Sequence, residues 1–422
     1  MRSIPESVRA AAHGFRALRN RNYRLFWFGQ MVSVAGTWMQ DTALALLVLN
    51  LTHSPFALGL TMTIRYLPAL FFSLFGGVIA DRLPKRTTLI VTQSLQLVIA
   101  LALAILTSTD AIKVGIIYVM AALRGLVDAV DMPTRQAFTV EMAGAEDLPN
   151  AVALNSAQFN TARIVGPSLA ALVITTAGTA VCFYVNAASF LAVIGAYLLM
   201  RETELFPAPR AARQGALRQV GQGLRYAVRT PDILVILVVM AAMGTFGYNF
   251  QTIFPLVNEY VLHGGAPGLS LLLALSAVGS VIAGLFAAYA GRPSQRRLLA
   301  SAGVFTILLF LLGLSHWRPV TWTLAFLIGV ASIIFMTSAN TRLQLVVSGE
   351  MRGRVMGMYA LLFVGTTPIG SLLVGTLAEK NGVPLMVLEM AAVCAVGVLA
   401  AVWFALRRRA VPLADPVGTA EM

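Results

Sequence analysis

Long apolar segments recur along the whole chain of 422 residues, and they limit its fold more than any other feature. We count twelve, each about 17 to 25 residues long, and a helix of that length crosses a hydrocarbon core about 30 Å thick. Only 12% of the residues are charged, against roughly 25% in a soluble domain. Membrane-spanning strands would instead show short segments of alternating polarity. The sequence therefore predicts an all-α polytopic membrane protein with twelve transmembrane helices.

The predicted spans form two sets of six. They cover residues 25–51, 56–80, 88–108, 113–131, 151–177, 180–200, 233–259, 268–290, 298–314, 320–340, 355–378 and 385–406. We expect a basic N-terminal segment, a first bundle, a linker, a second bundle and a tail, with the bounds 1–24, 25–200, 201–232, 233–406 and 407–422. No apolar region with a cleavage site follows the first arginines, so we expect the first span to be retained.

The basic residues give the chain an orientation. With the N-terminus placed inside, the inner segments carry 25 of the 31 Lys and Arg residues and the outer loops carry three. Cytoplasmic loops are enriched in these residues, so both termini are expected in the cytoplasm and the protein in the inner, or plasma, membrane. The linker 201–232 would then set topology, or would bind anionic lipid headgroups. Because the basic residues are spread over short loops, we expect no nucleic-acid partner despite the net charge of +13.

The two halves of the sequence also echo each other. Pro133-Thr-Arg-Gln-Ala-Phe parallels Asn340-Thr-Arg-Leu-Gln-Leu, and Glu146 parallels Glu350, at an offset of about 200 residues. Many secondary transporters are built from such repeats and hold the substrate near the membrane midplane between them. The repeat predicts two pseudo-symmetric six-helix bundles.

Several motifs carry a family resemblance. Gly77-Val-Ile-Ala-Asp81-Arg82-Leu-Pro-Lys85-Arg86 resembles the signature loop of the major facilitator superfamily and follows the second span, as it does in that family. Trp38-Met-Gln-Asp41, Arg163-Ile-Val-Gly166-Pro167 and Glu350-Met-Arg352-Gly353-Arg354 resemble the branch of enterobactin-type siderophore exporters and macrolide-efflux proteins, which is like the transmembrane secretion effectors. The resemblance runs from about residue 15 to residue 406.

The resemblance implies a cytoplasmic gate. In the family, the loop acid and its basic neighbours latch the cytoplasmic side and separate during alternating access. The gating residues here would be Gly77, Asp81, Arg82, Lys85, Arg86, Arg352 and Arg354. An acid at the C-terminal end of a helix also needs a positive partner, because that end carries a partial negative charge. The alternative is a permanent charge cluster that sets topology.

Five ionisable residues lie well inside the predicted spans, all of them in the first half: Asp41, Arg65, Arg124, Asp128 and Arg163. A charge at the bilayer centre costs about 2.5 to 3.5 kcal/mol, so these groups must pair or face water. Asp41 and Arg65 fall at matching depths on antiparallel spans, so an ion pair is open to them. Asp41 would take up and release a proton beside Arg65, or the pair would be a permanent salt bridge.

Arg124 and Asp128 share one helix face because they are four residues apart, and Arg163 falls at a similar depth on the next span. The surplus positive charge would bind an anionic or catechol-like substrate group. Alternatively, Asp131 would balance it in a helix-packing network. Further substrate-binding candidates are the aromatic and amide residues Tyr66, Phe246, Asn249 and Gln251.

Gly166-Pro167 predicts a hinge in the fifth span, or close packing there, because proline removes a backbone donor.

We expect a secondary active transporter, and in particular proton-coupled efflux of a small amphipathic compound by alternating access. An importer, a lipid flippase or a non-transporting receptor is the alternative. No phosphate-binding Gly-Lys-Ser/Thr loop, clustered metal ligands or nucleophile elbow is found in the sequence, so we expect no enzyme and no cofactor, with the proton gradient as energy source. The expected partners are the substrate and membrane lipid, and we expect a monomer.

Overall fold

The computed structural model describes residues 15–207, 224–289, 291 and 293–409, apart from the side chains of residues 73–81, 288, 289, 349, 350, 360, 364 and 407–409. All regular secondary structure in this part of the chain is helical. Segments 1–14, 208–223 and 410–422, which include much of the predicted N-terminal segment, linker and tail, lie outside the described residues.

Five long helices form the first half of the described chain. They are α1 (Arg21–Thr52), α2 (Pro55–Arg82), α3 (Lys85–Ser108), α4 (Val114–Ala177) and α5 (Thr179–Leu198). α1 ends where His53 adopts a left-handed φ of 49°, which turns the chain directly into α2. Short connections of this kind place successive helices antiparallel to each other.

The helix α4 corrects one sequence expectation. Predicted spans 113–131 and 151–177 lie within it apart from Lys113, and the loop expected between them is helical on both sides of a kink at Gly144 (φ 76°, ψ 161°). Phe138 and Met142 lie one turn apart in this segment and are buried with Phe26 and Tyr197. The prediction of a loop was wrong because low apolarity marks the end of a span, whereas an amphipathic helix can continue past it.

Eight helices of varied length form the second half of the described chain. They are α6 (Pro231–Ala242), α7 (Phe250–Val257), α8 (Gly265–Tyr289), α9 (Gln295–Leu314), α10 (Arg318–Val346), α11 (Gly349–Ala360), α12 (Thr367–Asn381) and α13 (Val383–Arg409). The π-helical segment Met243–Gly247 lies between α6 and α7, and Leu361–Gly365 lies between α11 and α12. The seventh and eleventh predicted spans are therefore interrupted helices, which often mark functional sites.

Ten helical segments of the described chain are long and apolar enough to cross a membrane. They include the combined segments Pro231–Leu262 and Met351–Asn381, and they do not include α4. The fold is thus all-helical with many candidate membrane spans.

The packing separates the two halves. In the first half, α2 packs on α4, α1 packs on α4 and α5, and α3 packs on α5. In the second half, α8 packs on α10, and α9 packs on α10 and α13. The main contacts between the halves are those of α2 with α12 and of α4 with α8.

Close contact of α2 with α12 requires a small residue. A Cβ on Gly59 would lie only 2.5 Å from the carbonyl oxygen of Ser371 and 2.8 Å from the Cα of Gly375. Small residues let helix backbones approach in a membrane. Near the same contact, the Thr63 hydroxyl donates to the carbonyl of Pro368 at 2.9 Å.

Candidate functional site

A buried charge cluster joins three helices of the first half. Asp41 on α1 accepts a hydrogen bond at its Oδ1 from Nη1 of Arg124 on α4, at 2.5 Å. The same Oδ1 lies 2.8 Å from Nη1 of Arg65 on α2. All three side chains are buried. One carboxylate therefore faces two guanidinium groups, and the nearby Asp128 adds a second negative charge that interacts with both arginines.

The two arginines bind Asp41 in different ways. Arg124 makes an aligned hydrogen bond, whereas Nε and Nη1 of Arg65 are buried without a hydrogen-bond partner. The Arg65 guanidinium also lies 5.3 Å from the ring centroid of Tyr66, at cation–π distance. Arg65 is thus held by electrostatic attraction to Asp41 and to the Tyr66 ring rather than by an aligned hydrogen bond.

Tyr66 connects this cluster to the second half. Its hydroxyl donates to Oε1 of Gln251 on α7 at 2.8 Å. A continuous series of contacts therefore crosses the interface between the halves. It runs from Asp41 through Arg65 and Tyr66 to Gln251.

The second acid that shares a face with Arg124 has a different partner. Asp128 accepts a hydrogen bond from Nε2 of Gln96 on α3 at 2.9 Å, and Arg124 points to Asp41 instead. Asp131 is buried, pairs with Arg135, and accepts hydrogen bonds from Thr92 and Gln93. Asp131 therefore balances Arg135 rather than the surplus charge near Arg124.

A cavity of about 280 Å³ lies beside the charge cluster, between the two halves. Its walls combine aromatic rings with amide and hydroxyl groups, from the residues Trp38, Met62, Tyr66, Phe159, Arg163, Tyr248, Asn249, Phe250, Gln251, Thr252, Phe254, Leu273, Ser276, Phe363, Thr367 and Ser371. A smaller adjoining pocket is lined by Asp41 and shares Trp38, Met62 and Gln251 with this cavity. The buried acid is therefore a neighbour of the cavity.

Arg163 lines the cavity from α4. Its guanidinium lies 5.7 Å from the ring centroid of Trp38, and that ring packs edge-on against Phe159 at 5.7 Å. Within the described residues, no carboxylate lies within salt-bridge distance of Arg163. Arg163 is thus separate from the Asp41 cluster.

The second-half wall is neutral and built on the π-helical segment before α7. Asn249 donates to the carbonyl of Thr245 at 2.7 Å and accepts from Ser371 at 3.3 Å. Tyr248 donates to the carbonyl of Ser332 at 2.5 Å and stacks on Phe305. Of the predicted second-half candidates, Asn249 and Gln251 line the cavity and Phe246 does not.

The predicted gating residues are only partly described. Gly77 and Asp81 are described as helix backbone alone, and the Asp81 side chain lies outside the described part. Lys85 pairs with Glu141 at 2.6 Å, and Arg86 pairs with Glu202 at 2.6 Å, so both bind acids of the first half. Arg82 and Arg352 are exposed, and Arg354 donates to the sulfur of Met351.

The predicted hinge is a site of close packing in this conformation. A Cβ on Gly166 would lie 2.4 Å from the Cβ of Trp38, so α4 lies directly against α1 at this point. The backbone is helical through Gly166 and Pro167, and both residues are buried.

Sequence reasoning did not select Trp38 or the polar residues of α3 as site residues. The glutamines Gln93 and Gln96 carried a usable signal, because two amides three residues apart inside an apolar span share a helix face. Among the described residues, no three His, Cys, Asp or Glu side chains are grouped to hold a metal ion.

Comparison with known proteins shows which family and which transporters the chain is similar to. Residues 12–416 match the family described as transmembrane secretion effector. The staphyloferrin A transporter of Staphylococcus aureus is 25% identical over 368 residues, which cover 85% of this chain and 90% of that protein. The multidrug efflux pump Tap of Mycolicibacterium fortuitum is 26% identical over 369 residues, with 85% and 89% covered.

A solved structure matches the fold. The crystal structure of the nucleoside transporter NupG matches with a TM-score of 0.70 and covers 91% of this chain and 98% of that one. At 13% identity, this likeness is evidence for the transporter fold and for nothing finer.

Proposed function

The chain belongs to the transmembrane secretion effector family of the major facilitator superfamily, as its motifs predicted, and from this premise we propose that it exports a small amphipathic compound in exchange for protons. It is a multi-pass membrane transporter and not an enzyme. Export rather than import is supported by the relative Tap, which is a multidrug efflux pump.

The proposed architecture has twelve spans in two six-helix bundles. It is supported by the ten apolar helical segments, to which the two limbs of α4 on either side of Gly144 would add two more. The concentration of Lys and Arg in alternate loops supports cytoplasmic termini in an inner, or plasma, membrane. The small residues where α2 meets α12 support close contact of the bundles on one side of the cavity.

The observation that carries the proposal is the position of Asp41. Its carboxylate is buried between Arg65 and Arg124 and lines a pocket that adjoins the central cavity. A buried acid changes charge when it binds a proton, and here the change would weaken its attraction for both arginines. Protonation would therefore free Arg65, which lacks an aligned hydrogen bond, before it freed Arg124.

Through the contacts of Arg65, protonation of Asp41 would affect the interface between the two halves. Arg65 lies against Tyr66, which is hydrogen bonded across the interface to Gln251. A displaced Arg65 would disturb that bond and loosen the halves around the cavity. A substrate that contacts Gln251 would act on the same bond from the side of the cavity. Proton and substrate would then each favour one conformation over the other, as alternating access requires.

The test uses everted membrane vesicles that contain the full chain or its Asp41→Asn variant. A panel of amphipathic compounds is first screened by accumulation in a deletion strain, and the compounds that the chain exports are then added to vesicles with a pH probe. We expect proton release from the vesicle lumen that depends on the compound and on Asp41. Export without proton movement would overturn the antiport, and net uptake by intact cells would favour an importer.

A further inference from the structure

The charge distribution of the cavity points to the chemical class of its ligand. Among the described residues that line the cavity, Arg163 is the only charged one. We propose that the cavity binds an organic anion, whose acidic group pairs with Arg163 and whose apolar body lies among the aromatic rings of α7. This inference rests on the proposed transport of an amphipathic compound and names its charge.

The surroundings of Arg163 differ from those of the other deep arginines. Arg65 and Arg124 share Asp41, and Arg135 pairs with Asp131. Arg163 has the ring of Trp38 instead, at 5.7 Å. A cation–π contact leaves the positive charge in place, so the guanidinium still favours an anion.

The neighbouring cluster does not supply that anion. Asp41 and Asp128 carry two negative charges, and Arg65 and Arg124 carry two positive charges, so the four groups together are formally neutral and no acid of the cluster is left over for Arg163. A cation in the cavity would meet the positive charge of Arg163 on the first-half wall, while an anion would neutralise it. The guanidinium group also matches a carboxylate well, since its N–H donors form two parallel hydrogen bonds.

The opposite wall suits the rest of such a molecule. Phe250 stacks on Phe254 with ring centroids 5.3 Å apart, and Phe250 also contacts Tyr248 at 5.6 Å. The amides of Asn249 and Gln251 add neutral polar groups there. The volume of about 280 Å³ lies near the lower end of ligand pockets, which span about 300 to 1,000 Å³. A compact acid with one aromatic or aliphatic body fits this arrangement.

Three probes with one shape and different charge test the inference. Binding of 4-phenylbutyrate, 4-phenylbutanamide and 4-phenylbutylamine is measured by equilibrium dialysis at pH 7, using the purified full chain in lipid nanodiscs. We expect the carboxylate to bind about tenfold more tightly than the amide, as a hydrogen-bonded charge predicts, and the amine to bind most weakly.

Substitutions of Arg163 test whether this residue causes the preference for the carboxylate. Arg163→Gln should reduce carboxylate affinity to that of the amide without changing amide affinity. Arg163→Glu should make the amine the best probe. Arg163→Lys should keep a preference for the carboxylate, so it tests the idea even if the neutral variant folds poorly. Arg24→Gln removes a cation from an exposed position on α1 and should leave all three affinities unchanged.

Several outcomes would overturn the inference. They are equal affinity of the wild-type chain for the three probes, no saturable binding of the carboxylate, and retention of the carboxylate preference by the folded Arg163→Gln variant. Because binding is measured without a proton gradient, loss of antiport with retained preference would count against the proposed coupling alone. Intact antiport with no preference would count against the anion site alone.

Discussion

The two halves of the molecule handle polar groups inside the membrane in different ways. In α1 to α5 these groups are charged and linked, as in the contacts of Asp41 with Arg65 and Arg124. On the cavity wall formed by α7 and α12 they are neutral, as in the contact of Asn249 with Ser371. The second half also contains the π-helical segments Met243–Gly247 and Leu361–Gly365, next to the cavity.

The difference separates two tasks. Charged pairs resist displacement because a lone buried charge is costly, so the first half is suited to a switch with few defined states. Neutral amides and aromatic rings on irregular helices tolerate small shifts, so the second half is suited to fitting a ligand. If this division holds, substitutions in the first half should change coupling and those in the second half should mainly change affinity.

The largest effect is expected for Asp41→Asn. Asparagine cannot accept the proton, so proton-driven export should fall by about a hundredfold or more. Compound-driven pH change in everted vesicles is the measurement. Asp110→Asn is the matched control, because Asp110 lies in a loop with a left-handed φ of 54° that asparagine tolerates, and it should behave as wild type. Proton-driven export by the Asp41→Asn chain would break the comparison.

The next effect separates the two arginines. Arg124→Gln should destabilise the protein by about 3 to 5 kcal/mol, because it removes an aligned partner from a buried acid. Arg65→Gln should destabilise it less, since Nε and Nη1 of Arg65 form no hydrogen bond. Thermal unfolding in detergent compares the two variants. The reverse order would show that Arg65 is the main partner of Asp41.

A smaller effect is expected in the second half. Gln251→Leu keeps the volume but removes the hydrogen bond to Tyr66, so the KM for an exported compound should rise about three- to tenfold. The number of protons moved per exported molecule should fall as well, because the proposed coupling passes through this bond. Tyr66→Phe removes the same bond from the other side and should give the same result. An unchanged proton count would show that coupling does not pass through this bond and would confine it to the charged residues of the first half.

The smallest effect is expected at the loop between α2 and α3. Glu141→Gln removes the acid that pairs with Lys85, and partly exposed pairs contribute about 0 to 1 kcal/mol. We expect a change in unfolding of this size and little change in export. A large loss of export would instead indicate that the pair holds one state of the transport cycle, as the family loop implies.

The sequence predicted the membrane class, the family and the deep charged residues, because a hydrocarbon solvent penalises almost every departure from apolar composition. Inside apolar spans, exceptions such as Arg163 stand out without any structure. The interruption at Met243–Gly247 was not predicted, although two of its five residues are glycines, because the apolar residues on both sides of it form one continuous apolar segment of the sequence. The helical segment after Asp131 was also missed, since it leaves the apolar pattern.

Partner choice was decided by the tertiary structure. Spacing placed Asp128 beside Arg124, yet Arg124 binds Asp41 on another helix and Asp128 binds Gln96. Sequence spacing fixes which residues share a helix face, whereas helix rotation and tilt decide which face meets a neighbour. The sequence by itself therefore determined that charges lie inside the membrane and in which half. Only the packing of α1, α2 and α4 decided that one acid serves two arginines and that Arg163 is left facing the cavity.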